Sequence, residues 1–451
     1  MIHIQNWENS NKLVLFFFML LLLIFVIVQI KLPIYGDDYT FINSFRNNNT
    51  DIISFYKDWC SIGGWSSRFI LDLTVLLATK YNFIWILWQI LNPFFIPLFF
   101  LSLVNLSQNK SFNNISFYFL LSLIFPYTTV SSAGWAATTI SYLWPATLLF
   151  ICISILFQYQ SNPNEVTLLK KIVFFVSLII AIDHELFCLF LTIIVFAYLV
   201  YLLKHKEKDL FVFSFSVIVI FRFCIHVVWR VLGDRYLSEL YNWFPNFGDL
   251  TIFDKIVSGY SNFAYLTFVR EPACAFIFSF LLMLITLKVN SSTFNKFVAS
   301  IPIFVIILFR VIKKISIINI FDTIQWQYGF INFDNYFSLV PYICLFLYCM
   351  VVYSIIYIIF VLFNLKTAII IAAIFISSCL TKIAMGLSPT VVDSGARTGV
   401  LVFMSCLFLS VFAYNKIYTL YTGDVNKIFN IIRIITLFFA LKKVFILFSI
   451  H

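Results

Sequence analysis

Charge is scarce in this chain. Only 11% of its 451 residues are Asp, Glu, Lys or Arg, against roughly a quarter in soluble domains. With 62% hydrophobic residues and a mean hydropathy of +0.98, this excludes a large soluble domain. The 30 basic residues outnumber the 20 acids, but they are scattered singly with no Lys/Arg stripe. Nucleic acid is therefore not an expected partner. None of the nine cysteines forms a CxxC pair, and Cys152, Cys188, Cys224 and Cys406 sit inside apolar segments, where inert thiols belong. The first hydrophobic run lacks a small-residue cleavage site and is too long for a signal peptide, so it reads as a retained anchor. No internal repeat of the transporter kind is visible.

What the chain does have is apolar runs, at about 13–30, 83–104, 115–130, 142–158, 172–182, 186–203, 210–229, 273–289, 297–312, 338–363, 367–382, 399–414 and 428–450. Many are long enough to cross a bilayer. The last carries Arg433, Lys442 and Lys443 and suits the membrane surface; 172–182 and 186–203 read as two spans or one broken helix. The expected fold is all-α: a polytopic helical bundle of about 11–13 transmembrane helices, one membrane domain over 1–451. With the N-terminus cytoplasmic, inner loops collect Lys12, Lys110, Lys170, Lys171, Lys204, Lys206, Lys208, Lys288, Lys296, Lys366, Lys416 and Lys427. Of the 20 acids, only Glu8, Glu165, Glu207, Asp209 and Asp424 join them. The outer segments 31–82, 126–141, 230–272, 313–337 and 383–398 are the elaborate ones. A membrane protein with its complexity on one face works on that face.

The first outer loop, 31–82, opens with Gly36-Asp37-Asp38-Tyr39 six residues after the first span. Charges at headgroup depth are expensive and tend to be functional. Adjacent Asp residues in an extended loop point to opposite sides, so they are expected to differ in role. One suits a general base; the other suits orienting a substrate, binding a metal, or capping the helix that contains Phe41 and Phe45. Ile52, Phe55, Tyr56 and Trp59 recur at helical spacing, which predicts a short interfacial helix from Asp51 to Trp59, broken by Gly63-Gly64. Trp65-Ser66-Ser67-Arg68-Phe69 is expected to open a second helix toward Thr79.

Arg68 is a cation suited to phosphate, or else to a local pair with Asp72. Asp183-His184-Glu185 puts three titratable groups where a short span ends, and Gly395-Ala396-Arg397 offers a second phosphate-binding cation or a snorkelling anchor. Gly134-Trp135 and Ser141-Tyr142-Leu143-Trp144-Pro145 form an aromatic turn suited to sugar rings or to interfacial anchoring. Arg222, inside a span, needs an internal partner or a water path.

Asp-Asp-Tyr followed by Trp65-x-x-Arg68-Phe69, with Ser141-Tyr142-Leu143-Trp144 and Glu185, resembles the GT-C superfamily of integral-membrane glycosyltransferases, in particular bacterial families grouped with O-antigen glucosyltransferases. Those families usually show Gly-Arg before the Phe, whereas this chain has Ser67-Arg68. The resemblance implies a multi-pass protein of the bacterial inner membrane, with interfacial helices in the first outer loop and its active site on the outer, periplasmic face. It implies a hexosyltransferase-like reaction that moves a sugar from a polyprenyl-phosphate donor to a glycan or lipid-linked saccharide, as in lipopolysaccharide O-antigen assembly. Asp37, by its place in the motif, is favoured over Asp38 as base; Arg68, Tyr39, Trp65, His184, Glu185 and Arg397 become substrate-binding candidates. The partners implied are the donor, the acceptor and membrane lipids. No cofactor is required, and no residue is assigned to a metal, although two carboxylates suit a hard divalent cation. The alternatives are a polysaccharide polymerase or flippase of the same pathway, which the basic segment 230–272 suits, and a solute transporter, whose charges would converge at the bilayer midplane.

Overall fold

The computed structural model describes residues 2–48, 50–107, 110–205, 209–232, 235–289, 291–315, 337, 339–391, 393–421 and 425–449. Lys206, Glu207, Lys208, Asp424 and most of the expected loop 313–337 lie outside them. Among the described residues every regular element is helical. Nine helices are long and apolar enough to cross a membrane, and a pair bent by 79°, Ile252–Arg270 with Ala273–Lys288, makes a tenth if it counts as one span. Three expected segments are not among them. Residues 115–130 and 172–182 fall in helices of 13 and 15 residues, short of the ~20 that a bilayer needs. The third, 428–450, is a long helix that carries four cations, Lys427, Arg433, Lys442 and Lys443.

The chain divides into two compact units, Met1–Cys188 with Phe211–Gly233 and Gly423–His451, and Leu189–Leu210 with Asp234–Thr422. The first opens with α1 (Ile2–Ile30), then α2 (Asp37–Ile42), α3 (Ile52–Trp59), α4 (Phe69–Lys80), α5 (Asn82–Leu91), α6 (Phe95–Asn105) and α7 (Phe112–Ile124). The short α8 (Tyr127–Val130) and α9 (Trp135–Thr138) lead through a π turn at Thr139–Leu143 into α10 (Trp144–Ser161), so that α9 and α10 form one long span, 135–161. Next come α11 (Leu168–Ile182), α12 (Glu185–His205), of which only the first turn belongs to this unit, and α13 (Leu210–Leu232). The single polar residue of the first run, Gln29, is accounted for: Asn92 Nδ2 donates to Gln29 Oε1 at 2.7 Å and to Tyr127 Oη at 2.8 Å, while Trp144 Nε1 donates to Asn92 Oδ1 at 3.0 Å. Asn92 stands at the break between α5 and α6, where Pro93 ends regular hydrogen bonding.

The expected short helix at 51–59 forms as α3, with Asp51 accepting from the N–H groups of Ile53 and Ser54 at 3.3 and 3.1 Å. The second helix starts later than expected, at Phe69 rather than Trp65, because the backbone before it is engaged elsewhere. Ser66 N–H donates to Trp59 O at 2.9 Å, and Ser67 O accepts from Arg222. At its far end Arg46 donates to Thr79 O at 2.5 Å and Ala78 O at 3.3 Å, a cation on the carbonyls that a helix leaves unbonded.

The second unit contains α14 (Arg235–Trp243), α15 (Ile252–Ala264), α16 (Ala273–Lys288), α17 (Thr293–Ile315) and the helices Leu339–Leu362, Leu365–Ile383 and Val400–Leu420. Its tightest crossing joins α15 to the turn Ala384–Leu387. A Cβ on Gly259 would lie 2.1 Å from Ile383 O, and one on Gly386 would lie 2.1 Å from Lys255 O. Gly248, in the same unit, has nothing within 4 Å of its Cβ position. Gly259→Ala is therefore expected to destabilise the protein by about 1–3 kcal/mol or more, the cost of overpacking, and Gly248→Ala to be neutral. Thermal unfolding of both variants in the same detergent checks this; equal melting temperatures would refute the close crossing.

Candidate functional site

The sequence Gly-Asp-Asp forms a corner rather than an extended loop. Gly36 has φ 59°, and a Cβ there would press on Ala133 C and O at 2.9 Å. Asp37 N–H donates to Ala133 O at 2.9 Å. The two carboxylates occupy the first turn of α2, about 100° apart around its axis, and separate completely. Asp38 is fully buried, whereas Asp37 and Tyr39 are exposed. Asp38 does cap a helix, but not the one that holds Phe41. Its Oδ2 accepts from the N–H groups of Trp135 and Ala136 at 2.6 and 2.9 Å, and its Oδ1 from Ala137 at 2.8 Å. It thus caps the start of the 135–161 span. Gly134, at φ 117°, leaves room for the carboxylate, 2.9 Å from where a Cβ would be. Tyr35 Oη donates to Ser131 O alongside. Burial pushes the Asp38 carboxyl up to about 6, although the three amides pull it down.

Arg68 does not make the local pair with Asp72 but is paired at long range. Its Nε donates to Glu185 Oε2 at 2.6 Å, and Nη2 donates to Glu185 Oε1, a two-pronged ion pair. Asp72 accepts from Trp59 Nε1 at 2.8 Å. Burial works against the Arg68 charge, but Glu185, with help from Tyr142 and Asp72, holds the guanidinium pKa above its ordinary value. The guanidinium also lies 5.6 Å from the Tyr142 ring centre. Asp183, His184 and Glu185 share the turn between α11 and α12 but do three different things. Asp183 Oδ2 accepts from Ile70 and Leu71 N–H at 2.8 and 2.9 Å and so caps α4; its Oδ1 takes Arg222 Nη2 at 2.6 Å. That gives Arg222 the internal partner its position demanded. His184 is buried against Tyr142 and Phe187, each ring centre 4.7 Å away, and its Nδ1 accepts from Leu186 N–H at 3.2 Å. The same Nδ1 lies 3.4 Å from Glu185 Oε2. His226, not singled out by sequence, bonds Ser67 Oγ at 2.7 Å through Nδ1 and Ile182 O at 2.9 Å through Nε2, which ties the segment before α4 to the end of α11.

These two groups lie at one end of the first unit. Trp135, over Asp38, and Tyr142, beside Arg68 and His184, are seven residues apart on one helical run, about 10 Å along its axis. Beside them, Phe41, Phe55 and Trp65 surround Trp59 at ring-centre distances of 6.3, 5.2 and 5.3 Å. Of the sequence-derived candidates, Asp37, Asp38, Tyr39, Trp65, Arg68, His184 and Glu185 thus belong to the first unit, and Arg397 to the second. Among the described residues no three His, Cys, Asp or Glu side chains cluster as metal ligands.

In the second unit, sequence reasoning missed two buried charges. Glu239 on α14 takes Arg235 Nε at 2.6 Å and Ser388 Oγ at 3.1 Å, and Ser388, Thr390 and Ser394 continue as a hydroxyl chain with 3.0 Å links. Lys382 is fully buried beside the turn that carries Arg397. The available signal was a Lys at the last residues of an apolar run.

Removing the Asp38 carboxylate, as in Asp38→Ala, leaves three amides unbonded and is expected to cost about 1–3 kcal/mol; Asp37→Asn, at an exposed position, is expected to cost less. Because the folded-state pKa of Asp38 lies above the ordinary 3.8, the fold holds this proton more tightly. Its contribution is full below the ordinary value and is lost as pH rises toward about 6. Melting temperature across this window is expected to fall in the native chain and to flatten in Asp38→Asn; an unchanged slope would refute the assignment.

Comparison with family models, curated proteins and solved structures finds no match to this chain.

Proposed function

We propose that the protein is a membrane glycosyltransferase of GT-C type, which moves a sugar from a polyprenyl-phosphate donor to a glycan or lipid-linked acceptor on the outer face of a bacterial inner membrane. The observation that carries this reading is the division of labour in Gly36-Asp37-Asp38-Tyr39. Asp38 is consumed by the head of the 135–161 span, and this holds its exposed neighbour Asp37 at the same helix end as the Arg68–Glu185 pair. A fixed, solvated carboxylate is what removal of a proton from an acceptor hydroxyl requires. The exposed Tyr39 and the half-buried Trp65 flank it with aromatic surface suited to sugar rings. Arg68 and Glu185, already locked together, serve to orient sugar hydroxyls rather than to bind phosphate. His184, buried against the Tyr142 ring, holds it in position. The lipid phosphate is already a fair leaving group, so the chemistry needs a base and cations, and no cofactor.

Two results test the reading. Asp37→Asn is expected to lower turnover by about 100- to 10,000-fold, the usual contribution of a general base, with expression and melting temperature unchanged. Full activity in Asp37→Asn and Asp38→Asn alike would sink the mechanism. For orientation, Asn48 follows α2 and its π turn, while Asn164 follows the far end of the 135–161 span, about 40 Å away. In a cysteine-free background, Asn48→Cys is expected to react with an impermeant thiol reagent applied outside, and Asn164→Cys to react only after lysis. The reverse pattern would move the acidic corner to the cytoplasm.

A further inference from the structure

The last helix of the first unit, Val425–Phe448, carries Lys427, Arg433, Lys442 and Lys443, and by composition it suits the membrane surface. Its neighbours say otherwise. It packs along α7 and reaches α8. Toward its start, Arg433 Nη1 donates to Asn113 Oδ1, in the first turn of α7, at 2.7 Å. At its far end the Phe448 ring centre lies 5.9 Å from Lys31 Nζ, just past the end of α1.

α1 serves as the ruler. Its Phe17 meets Phe112 and Phe119 at ring-centre distances of 6.0 and 4.9 Å, and its Phe25 meets Tyr127 at 5.2 Å. α1 and the α7–α8 pair therefore run side by side in one direction. From Phe17, level with the start of α7, to Lys31 the rise is about 21 Å; from Arg433 to Phe448 it is about 22 Å. Two helices that share neighbours at both ends over the same rise are parallel. α1 is long and apolar enough to cross a membrane. A helix lying flat on the membrane would meet such a neighbour at a single depth.

The side chains divide accordingly. Phe429, Ile432, Thr436, Ala440, Lys443 and Leu447 are buried at a helical spacing and form the packing stripe. Thr436 returns its hydroxyl to Ile432 O at 2.6 Å. Ile431, Ile434, Leu437, Phe438, Leu441 and Phe445 are exposed. They make a second apolar stripe about 21 Å long, most of the depth of a hydrocarbon core. α1 turns Phe16, Met19, Leu23 and Ile27 outward in the same way. The cations fall where a span tolerates them. Lys427 and Lys442 are exposed toward the two ends, where a lysine stem reaches for the headgroups. Arg433, deeper, spends its donors on Asn113, Asn430 and Phe429 O, the internal pairing that an intramembrane charge needs.

We infer that Val425–Phe448 is a membrane-spanning helix parallel to α1. Its Ile431–Phe445 stripe lies against lipid acyl chains, and residues 448–449 emerge on the face that bears the acidic corner. That face is shared whichever side of the membrane it occupies and whatever reaction the first unit performs.

The test is the sidedness of thiol labelling in intact cells and after lysis, with Asn48→Cys and Asn164→Cys marking the two faces. In a cysteine-free background, Ser449→Cys is expected to label with Asn48→Cys, and Lys427→Cys with Asn164→Cys. One shared pattern for Ser449→Cys and Lys427→Cys means a helix that stays on one face, and overturns the span. The exchanged pattern makes the helix antiparallel to α1, and overturns it equally. The lipid face is read with a nitroxide on Phe438→Cys in reconstituted vesicles. Oxygen dissolved in the bilayer is expected to broaden its spectrum, and an aqueous nickel chelate to leave it unchanged. A dominant nickel effect would put the stripe in water; insensitivity to both would put another protein surface over it. Either result removes lipid as the occupant. The three probe positions are exposed. If one of these variants fails to accumulate, a short bifunctional thiol reagent reads the register instead. It is expected to join Asn113→Cys to Arg433→Cys and not to Phe448→Cys; the reverse overturns the parallel arrangement.

Discussion

A helix that starts within an apolar bundle exposes backbone N–H groups to surroundings that offer no water, and each unbonded amide there costs several kcal/mol. The first unit meets this constraint with charged side chains brought from far along the chain. Asp38 satisfies the first amides of the 135–161 span, and Asp183 satisfies those of α4. Arg46 covers the last carbonyls of α4. Anions at helix starts and a cation at a helix end follow the sense of the macrodipole, so one helix in the first loop is clamped at both ends by opposite charges. The acidic corner, the Arg68–Glu185 pair and the aromatic cluster all hang on these clamps.

The same economy governs polar groups deeper in the fold. Gln29, Asn92, Tyr127 and Trp144 form one closed hydrogen-bonded knot, and Arg222 is neutralised by Asp183 rather than left to snorkel. Where polar groups are few, backbone closeness does the work, as at Gly259 and Gly386, whose missing side chains let two segments touch. Against this background Lys382 stands out, since among the described residues its side-chain nitrogen bonds only the neutral Gly395 O and Thr398 Oγ1.

The spans were legible because hydropathy over about 20 residues is a strong signal, and so was α3, whose aromatic spacing and capping Asp51 are local. The shorter α7 and α11 were apolar enough to be taken for spans, since hydropathy reports composition and not helix length. Asp38 was legible as special but not in its job, because its partners lie 97 to 99 residues away. Arg68 and Asp72 stood at a spacing that suits a local pair, yet Glu185, 117 residues on, took the guanidinium. Asp183-His184-Glu185 read as one cluster, but each side chain is committed separately: Asp183 to the first amides of α4 and to Arg222, His184 to the rings of Tyr142 and Phe187, and Glu185 to Arg68. Lys382 was hidden by its position at the edge of an apolar run, where a lysine ordinarily reaches for the headgroups.

The clamps also bear on motion. Loops that cover an active site commonly open and close around hinges with few ties to the scaffold. Here the stretch from Gly36 to Lys80 is riveted at Asp38, Arg46 and Asp183, and again where Trp229 Nε1 meets Cys60 O at 3.2 Å. Such a stretch has little slack with which to act as a flap, and it stands as a fixed wall of the first unit.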